Sequence, residues 1–265
     1  MQSRNAAGGA ASSDTATATT APFTARSVLA SALLGMDPPE LPVAQLVRLS
    51  GLFGISENRA RVALSRMVAA GEATAEGSGR YRLAGHLAER QSRQSASRAG
   101  ATVPYEGEWW LAVVTTAGST AEVRGARRRA LAYGRLAELR EGVWMRPANV
   151  AVALPDSLDA DVELMTAQPA DPGALAGRLW DLTAWSARAG DLLERLDALA
   201  PDGPAALAPG FELSAAVLRH LQADPLLPAE LLPDGWPGAP LRSTYEEWDA
   251  RYRTTLRDWS RAGGP

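Results

Sequence analysis

The sequence predicts an α+β multidomain protein with an N-terminal winged helix-turn-helix, a ferredoxin-like middle domain and an all-helical C-terminal domain. Three observations lead there. Residues 41–83 read as a helix, a tight turn, a second helix loaded with arginine, and a short hairpin. From Tyr105 onward a short apolar run rich in β-formers precedes a capped helix and another hairpin. Beyond residue 168 apolar residues recur at helical intervals to the end. The divisions that follow are a disordered tail at 1–22, the winged helix-turn-helix at 23–86, a linker at 87–104, the ferredoxin-like unit at 105–168 and the helical domain at 169–265.

The tail is rich in Ala, Thr and Ser and has no apolar centre, so it resembles neither a signal peptide nor a packed element. Phe23 to Leu34 then has Leu29 with Leu33 and Val28 with Ala32 at helical spacing, with Thr24 as the N-cap. A Pro-rich segment, Asp37 to Pro42, ends that helix. A second helix runs from Val43 to about Leu52, and Gly51 to Gly54 supplies the turn. Ser56 caps the next helix, with Glu57 at the positive end of its dipole and Ile55 placed to pack across the cap.

Within that helix Ala60, Ala63, Leu64, Met67 and Val68 fall on one side and predict a core face. The opposite side presents Asn58, Arg59, Arg61, Val62, Ser65 and Arg66, side chains suited to phosphates and to base edges in a major groove. Gly71 ends the helix. Thr74 to Leu83 alternates as a small wing would, with Arg80 and Arg82 on its return strand within reach of a nucleic-acid backbone. Gly85 to Val103 is polar and reads either as a solvent-exposed helix or as a spacer.

Charge sharpens this division. The chain carries a net charge of −3, and all 27 of its basic residues are Arg. Met1 to Arg146 holds 18 Arg against 12 acids, whereas Pro147 to Pro265 holds 9 against 18. The first part suits a polyanion and the second repels one. There is no Cys, which excludes disulfides and thiolate metal sites and points to a reducing cytoplasm; His86 and His220 have no metal or catalytic context. No apolar run approaches the roughly 20 residues that span a bilayer.

In the middle unit Trp109 to Thr115 predicts a buried strand. Ser119 and Glu122 have capping-box spacing for a helix ending at Gly134. Arg135–Arg140 and Val143–Arg146 predict a hairpin around Glu141 and Gly142, and Val162–Thr166 a last strand, with a very short second helix at most around Pro155 to Asp161. Arg124, Arg127, Arg128 and Arg129 fall on the helix, where a solvated outer face is the default for such a cluster.

Pro172 to Leu199 predicts one long helix bearing Trp180 and Trp185, Phe211 to Leu221 another, and Ser243 to Trp259 a closing helix with Tyr245, Trp248, Tyr252 and Leu256 as its buried stripe. Asp224 to Pro240 has too many prolines for one regular element.

Taken in order, LVRLSGLFGIS with ARVALSRM, GVWMRP, LWDL, and DPLLPAELLP with WPG resemble the PaaX family of bacterial transcriptional repressors, and they do so over nearly the whole chain after the tail. The resemblance implies a homodimer on palindromic double-stranded operator DNA, released by an acyl-CoA such as phenylacetyl-CoA. By position, Ser56, Arg61, Ser65 and Arg66 match the family's reader motif, and Trp144, Arg146, Trp180 and Asp181 its recurring body residues.

The candidate DNA-binding residues are therefore Ser56, Asn58, Arg59, Arg61, Ser65, Arg66, Arg80 and Arg82. The candidate effector-binding residues are Arg127, Arg128, Trp144, Arg146, Trp180 and Trp185, which offer anion partners beside aromatic ones. Neither a cofactor, a metal nor a membrane partner is expected, and the chain is not read as an enzyme. The resemblance also implies a middle domain similar to a CRISPR-associated nuclease, which makes metal-dependent nuclease activity the enzyme alternative; in that nuclease an Asp closes the first strand, whereas this strand ends Val113, Val114, Thr115, Thr116. A winged helix that binds protein instead of DNA is the other alternative.

Overall fold

The computed structural model describes residues 24–36, 38–77, 79–88, 100, 102–116, 118–152 and 161–262. The expectations for the tail, for most of the 87–104 segment and for nearly all of the short second middle helix lie outside them. The chain is mixed α/β, with helices toward both termini and two small sheets between. Among the described residues no helix is long and apolar enough to cross a membrane.

Three helices come first: α1 (Ala25–Leu34), α2 (Val43–Gly51) and α3 (Glu57–Ala69). The hydroxyl of Thr24 accepts the Ser27 amide at 3.1 Å and so caps α1. The Ser56 hydroxyl does the same for α3, accepting from Arg59 N at 3.4 Å, while Ile55 is buried just before it. Beyond α3, Gly71 adopts φ 69°, a left-handed turn that favours glycine, and the chain enters β2 (Ala73–Glu76) and β3 (Arg80–Leu83) as an antiparallel hairpin with Ala73 opposite Leu83.

Sequence periodicity misses one strand. β1 (Glu40–Pro42) pairs antiparallel with β3, Leu41 opposite Tyr81, so the sheet order is β1-β3-β2. Three residues ending in Pro carry no period-2 signal, and Pro is tolerated there because β1 is an edge strand. A second correction concerns Val68, which is exposed and not part of the α3 core face.

The second sheet has the order β5-β6-β4-β7 and is antiparallel throughout: β4 (Trp109–Val114) pairs with β6 (Val143–Pro147) on one side and β7 (Val162–Ala167) on the other, and β5 (Ala137–Arg140) lies at the edge. α4 (Ala121–Tyr133) covers one face, packing its Leu131 with Ala112, Leu136, Trp144 and Val162. Its N-cap is Thr120, accepting from Val123 N, and not Ser119. β5 starts two residues later than its apolar pattern suggests, because Arg135 sits at φ 60° in the turn that terminates α4. The other face packs Trp109 and Met145 against α5 (Pro172–Leu179) and Leu227.

The single helix expected from Pro172 to Leu199 is two. α5 ends at Leu179, Trp180 is extended, and the Asp181 carboxylate accepts Ala184 N at 2.9 Å to cap α6 (Leu182–Ala198). α7 (Leu207–Gln222) and α8 (Gly238–Arg261) both begin earlier than the sequence suggests, taking Pro209 and Pro240 into their first turns. Pro fits there because the first-turn amides need no intrahelical partner.

Helices α1 to α3 and α6 to α8 share one continuous apolar core. Phe53, just after α2, meets Phe211 of α7 with ring centroids 5.1 Å apart. Between α7 and α8, Gly210 lets the Tyr252 ring approach so closely that an added Cβ would lie 2.5 Å from it. The Tyr252 hydroxyl donates to the Leu207 carbonyl at 2.7 Å and fixes the ring there.

The junction between the second sheet and the C-terminal helices is polar and buried. Arg146 is fully buried and donates to Asn149 Oδ1 at 3.1 Å and to the Pro147 carbonyl at 3.0 Å, while Asn149 donates to the Leu226 carbonyl at 2.8 Å. Burial, with Arg135 nearby, holds the Arg146 guanidinium below the usual arginine range. Asp224 accepts from Arg242 at 2.7 Å and from Leu226 N at 2.9 Å. These bonds hold segment 224–227 against β6, and Leu226 keeps a left-handed φ of 52° within them.

Candidate nucleic-acid interface

α3 is pinned by one buried residue per turn, Ala60, Leu64 and Met67, each no more than 1% exposed. That spacing turns Asn58, Arg59, Arg61, Val62, Ser65 and Arg66 outward, and every one of them is exposed, as is Ser56. A rigid, capped helix therefore presents a polar and cationic face with defined direction. Ser56 serves the helix itself, because its hydroxyl is the cap.

The arginines of this face are not equivalent. Arg61 donates from Nε to Glu57 Oε1 at 2.8 Å, one turn earlier. Arg59 and Arg66 have no ion pair among the described residues, and with Asn58 and Val62 they line a groove that runs to Thr24 and Arg26 at the start of α1. Arg80 and Arg82 lie on β3, where Glu40 of β1 accepts from both. Glu40 was not among the sequence candidates; the signal for it is the strand register that sets Glu40 opposite Arg82.

At the base of the groove, Arg26 donates through two nitrogens to the carboxylate of Glu72, with Nε at 2.8 Å. This hydrogen bonding, helped by the charges of Arg26 and His86, holds the Glu72 carboxyl below its ordinary value despite its burial. The pair ties the start of α1 to the end of α3.

The candidate effector residues divide between separate places. Arg127, Arg128 and Trp144 line one cleft of about 490 Å³ beside the start of α4. Arg127 is buried, contrary to a solvated outer helix face, and donates to Asp161 Oδ2 at 2.9 Å and Thr116 Oγ1 at 3.1 Å. Arg128 pairs with Glu138 at 2.5 Å and lies 5.9 Å from the centroid of the Trp144 ring. Arg146 is in the buried junction, Trp180 packs near Trp109 with centroids 6.2 Å apart, and Trp185 is stacked between His220 at 4.3 Å and Trp236 at 4.5 Å. Among the described residues no group of three or more His, Cys, Asp or Glu side chains could hold a metal ion.

Residues 24–90 match a family model described as PaaX-like protein, and residues 180–262 match one described as PaaX-like protein C-terminal domain. The solved structure of the uncharacterised protein Rv0674 from Mycobacterium tuberculosis is 40% identical in sequence and superposes with a TM-score of 0.69, covering 89% of this chain and 98% of that one. No curated protein matches the chain.

Proposed function

From the premise that the chain belongs to the PaaX-like family, we propose that it is a transcriptional regulator that binds operator DNA through α3. In this reading α1 to α3 with the β2–β3 hairpin act as a winged helix-turn-helix, and the second sheet with α4 is a ferredoxin-like body behind it. The observation that carries the reading is the outward face of α3. Arg59 and Arg66, which have no ion pair among the described residues, flank Val62 one turn away on either side, on a helix whose opposite face is locked in the core. Side chains placed this way meet phosphates and base edges together when a helix enters a major groove. Arg80 and Arg82, oriented by Glu40, extend the cationic surface onto the hairpin.

The regulator acts as a homodimer whose two α3 helices address palindromic half-sites about one duplex turn, roughly 34 Å, apart. Its effector is a small molecule of the acyl-CoA class, phenylacetyl-CoA being the type, which releases DNA. Arg128 beside Trp144 in the α4 cleft supplies the pairing of a cation with an aromatic surface that such a ligand calls for.

Mobility shift with the DNA upstream of its own coding sequence, across a salt series, tests the reading. Specific binding should fall steeply as salt rises. Specific binding left intact by Arg59→Ala combined with Arg66→Ala would show that α3 is not the reading helix.

A further inference from the structure

The residue of α3 aimed most directly away from the core is apolar. Successive residues of an α-helix are about 100° apart, which puts Ala60 and Leu64 each roughly 160° around the axis from Val62, and Met67 roughly 140°. Those three are the buried stripe, so Val62 lies at the tip of the opposite face, where it is 43% exposed. Asn58 and Ser65 flank it on one side and Arg59 and Arg66 on the other, all within roughly 60°, and all four are exposed. One hydrocarbon side chain is thus ringed by four that hydrogen-bond.

Val62 gains little for the isolated helix, since a β-branched residue has a lower helix propensity than Ala. The same branching holds it in one strongly preferred rotamer, so its two methyls are fixed in place before any contact forms. When a helix enters a major groove, the tip residue meets the groove floor while its flanks meet base edges and phosphates to either side. Valine neither donates nor accepts a hydrogen bond, so it matches none of the polar positions on that floor. Pressed against one of them it would strip away water and return nothing. The apolar group that the floor does present is the 5-methyl of thymine.

We propose that Val62 is a specificity-determining residue that reads the 5-methyl group of one thymine in each half-site. The inference rests on the DNA-reading proposal and adds to it an apolar base contact at the centre of the interface, between Asn58 and Ser65 on one flank and Arg59 and Arg66 on the other.

The test uses the full chain and a duplex that it selects from a random pool. Each thymine of that duplex is replaced in turn by uracil, which removes the 5-methyl and leaves the rest of the base unchanged, and binding is measured by mobility shift. At one thymine in each half-site, uracil should weaken binding of the parent about fourfold, the contribution of one buried methyl. Val62→Ala should bind the thymine duplex about fourfold more weakly per half-site and no longer distinguish thymine from uracil there. That substitution is at an exposed position and raises helix propensity, so the fold is kept. Val68→Ala, exposed on the same helix but roughly 120° from the tip, should give the scan of the parent. A uracil scan that is the same in the parent and in Val62→Ala would overturn the inference while leaving Arg59 and Arg66 as readers, as would a Val68→Ala scan that loses the same thymine. Specific binding untouched by Arg59→Ala combined with Arg66→Ala, or no duplex selected at all, would bring down the DNA-reading proposal and the inference with it.

Discussion

The guanidinium of Arg48, in the last turn of α2, lies 4.6 Å from the centroid of the Trp259 ring of α8 and donates to that residue's own carbonyl at 3.0 Å. One side chain thus closes the N-terminal helices onto the C-terminal one. In this partly buried setting a cation over an indole contributes about 1 kcal/mol. A double-mutant cycle with Arg48→Met and Trp259→Leu should therefore return a coupling of about 1 kcal/mol in denaturant unfolding. Additive single effects would mean that the stacked geometry contributes nothing.

Glu57 has two opposed roles at the proposed DNA face. It stabilises the start of α3 through the helix dipole, by about 0.3–1 kcal/mol, and it holds Arg61 away from other anions. Glu57→Gln should lower the melting temperature slightly while strengthening DNA binding. If Arg61 then meets a phosphate, the slope of log affinity against log salt should steepen by about 0.9. An unchanged slope with unchanged affinity would remove Arg61 from the interface.

Single substitutions of Arg59 and Arg66 should be separable by the sequences they affect. A residue that reads a base costs about 1–3 kcal/mol at one operator position, whereas a phosphate contact weakens all sequences alike. Binding of each alanine variant to a panel of singly substituted operators distinguishes the two.

Gly210→Ala tests the α7–α8 packing with a counterintuitive sign. Intrinsic helix propensity favours Ala by about 1 kcal/mol. Against that, the new methyl would lie 2.5 Å from the Tyr252 ring, which is buried and held by its hydroxyl. Forcing extra volume into a packed core costs about 1–3 kcal/mol, so the variant should melt at a lower temperature than the parent.

The Arg26–Glu72 pair predicts an acid-sensitive term. The folded Glu72 carboxyl titrates below its ordinary value of 4.5, so its contribution is fully present above that pH and is lost as pH falls through the lower folded value. Melting temperatures of the parent and of Arg26→Met should therefore differ at pH 6 and draw together as pH falls below 4.5. A constant gap across that range would assign the effect of Arg26 to packing.

Local signals carried far in this sequence. The caps at Thr24 and Ser56, the buried stripe at Ala60, Leu64 and Met67, and the hairpin after Gly71 are all encoded within a few residues of where they act. What escaped was non-local. The strand at Glu40–Pro42 exists because β3 offers it an edge, and Arg127 is buried because Asp161 waits across the sheet. Asp181 was legible as a helix-capping residue type, but the apolar spacing on both sides of it suggested continuity.

Phe53 and Phe211 are 158 positions apart, yet they sit in the same core. At about 5–20 residues per second, synthesis of the intervening chain takes roughly 8–30 s. During that interval the N-terminal helices leave the ribosome with an apolar flank that has nothing to cover it. A chain interrupted before α8 would leave α2 without the Arg48–Trp259 contact that closes it onto the C-terminal helices. Completion of translation is thereby a condition for covering that flank, and prematurely ended chains should be recognised by it and degraded.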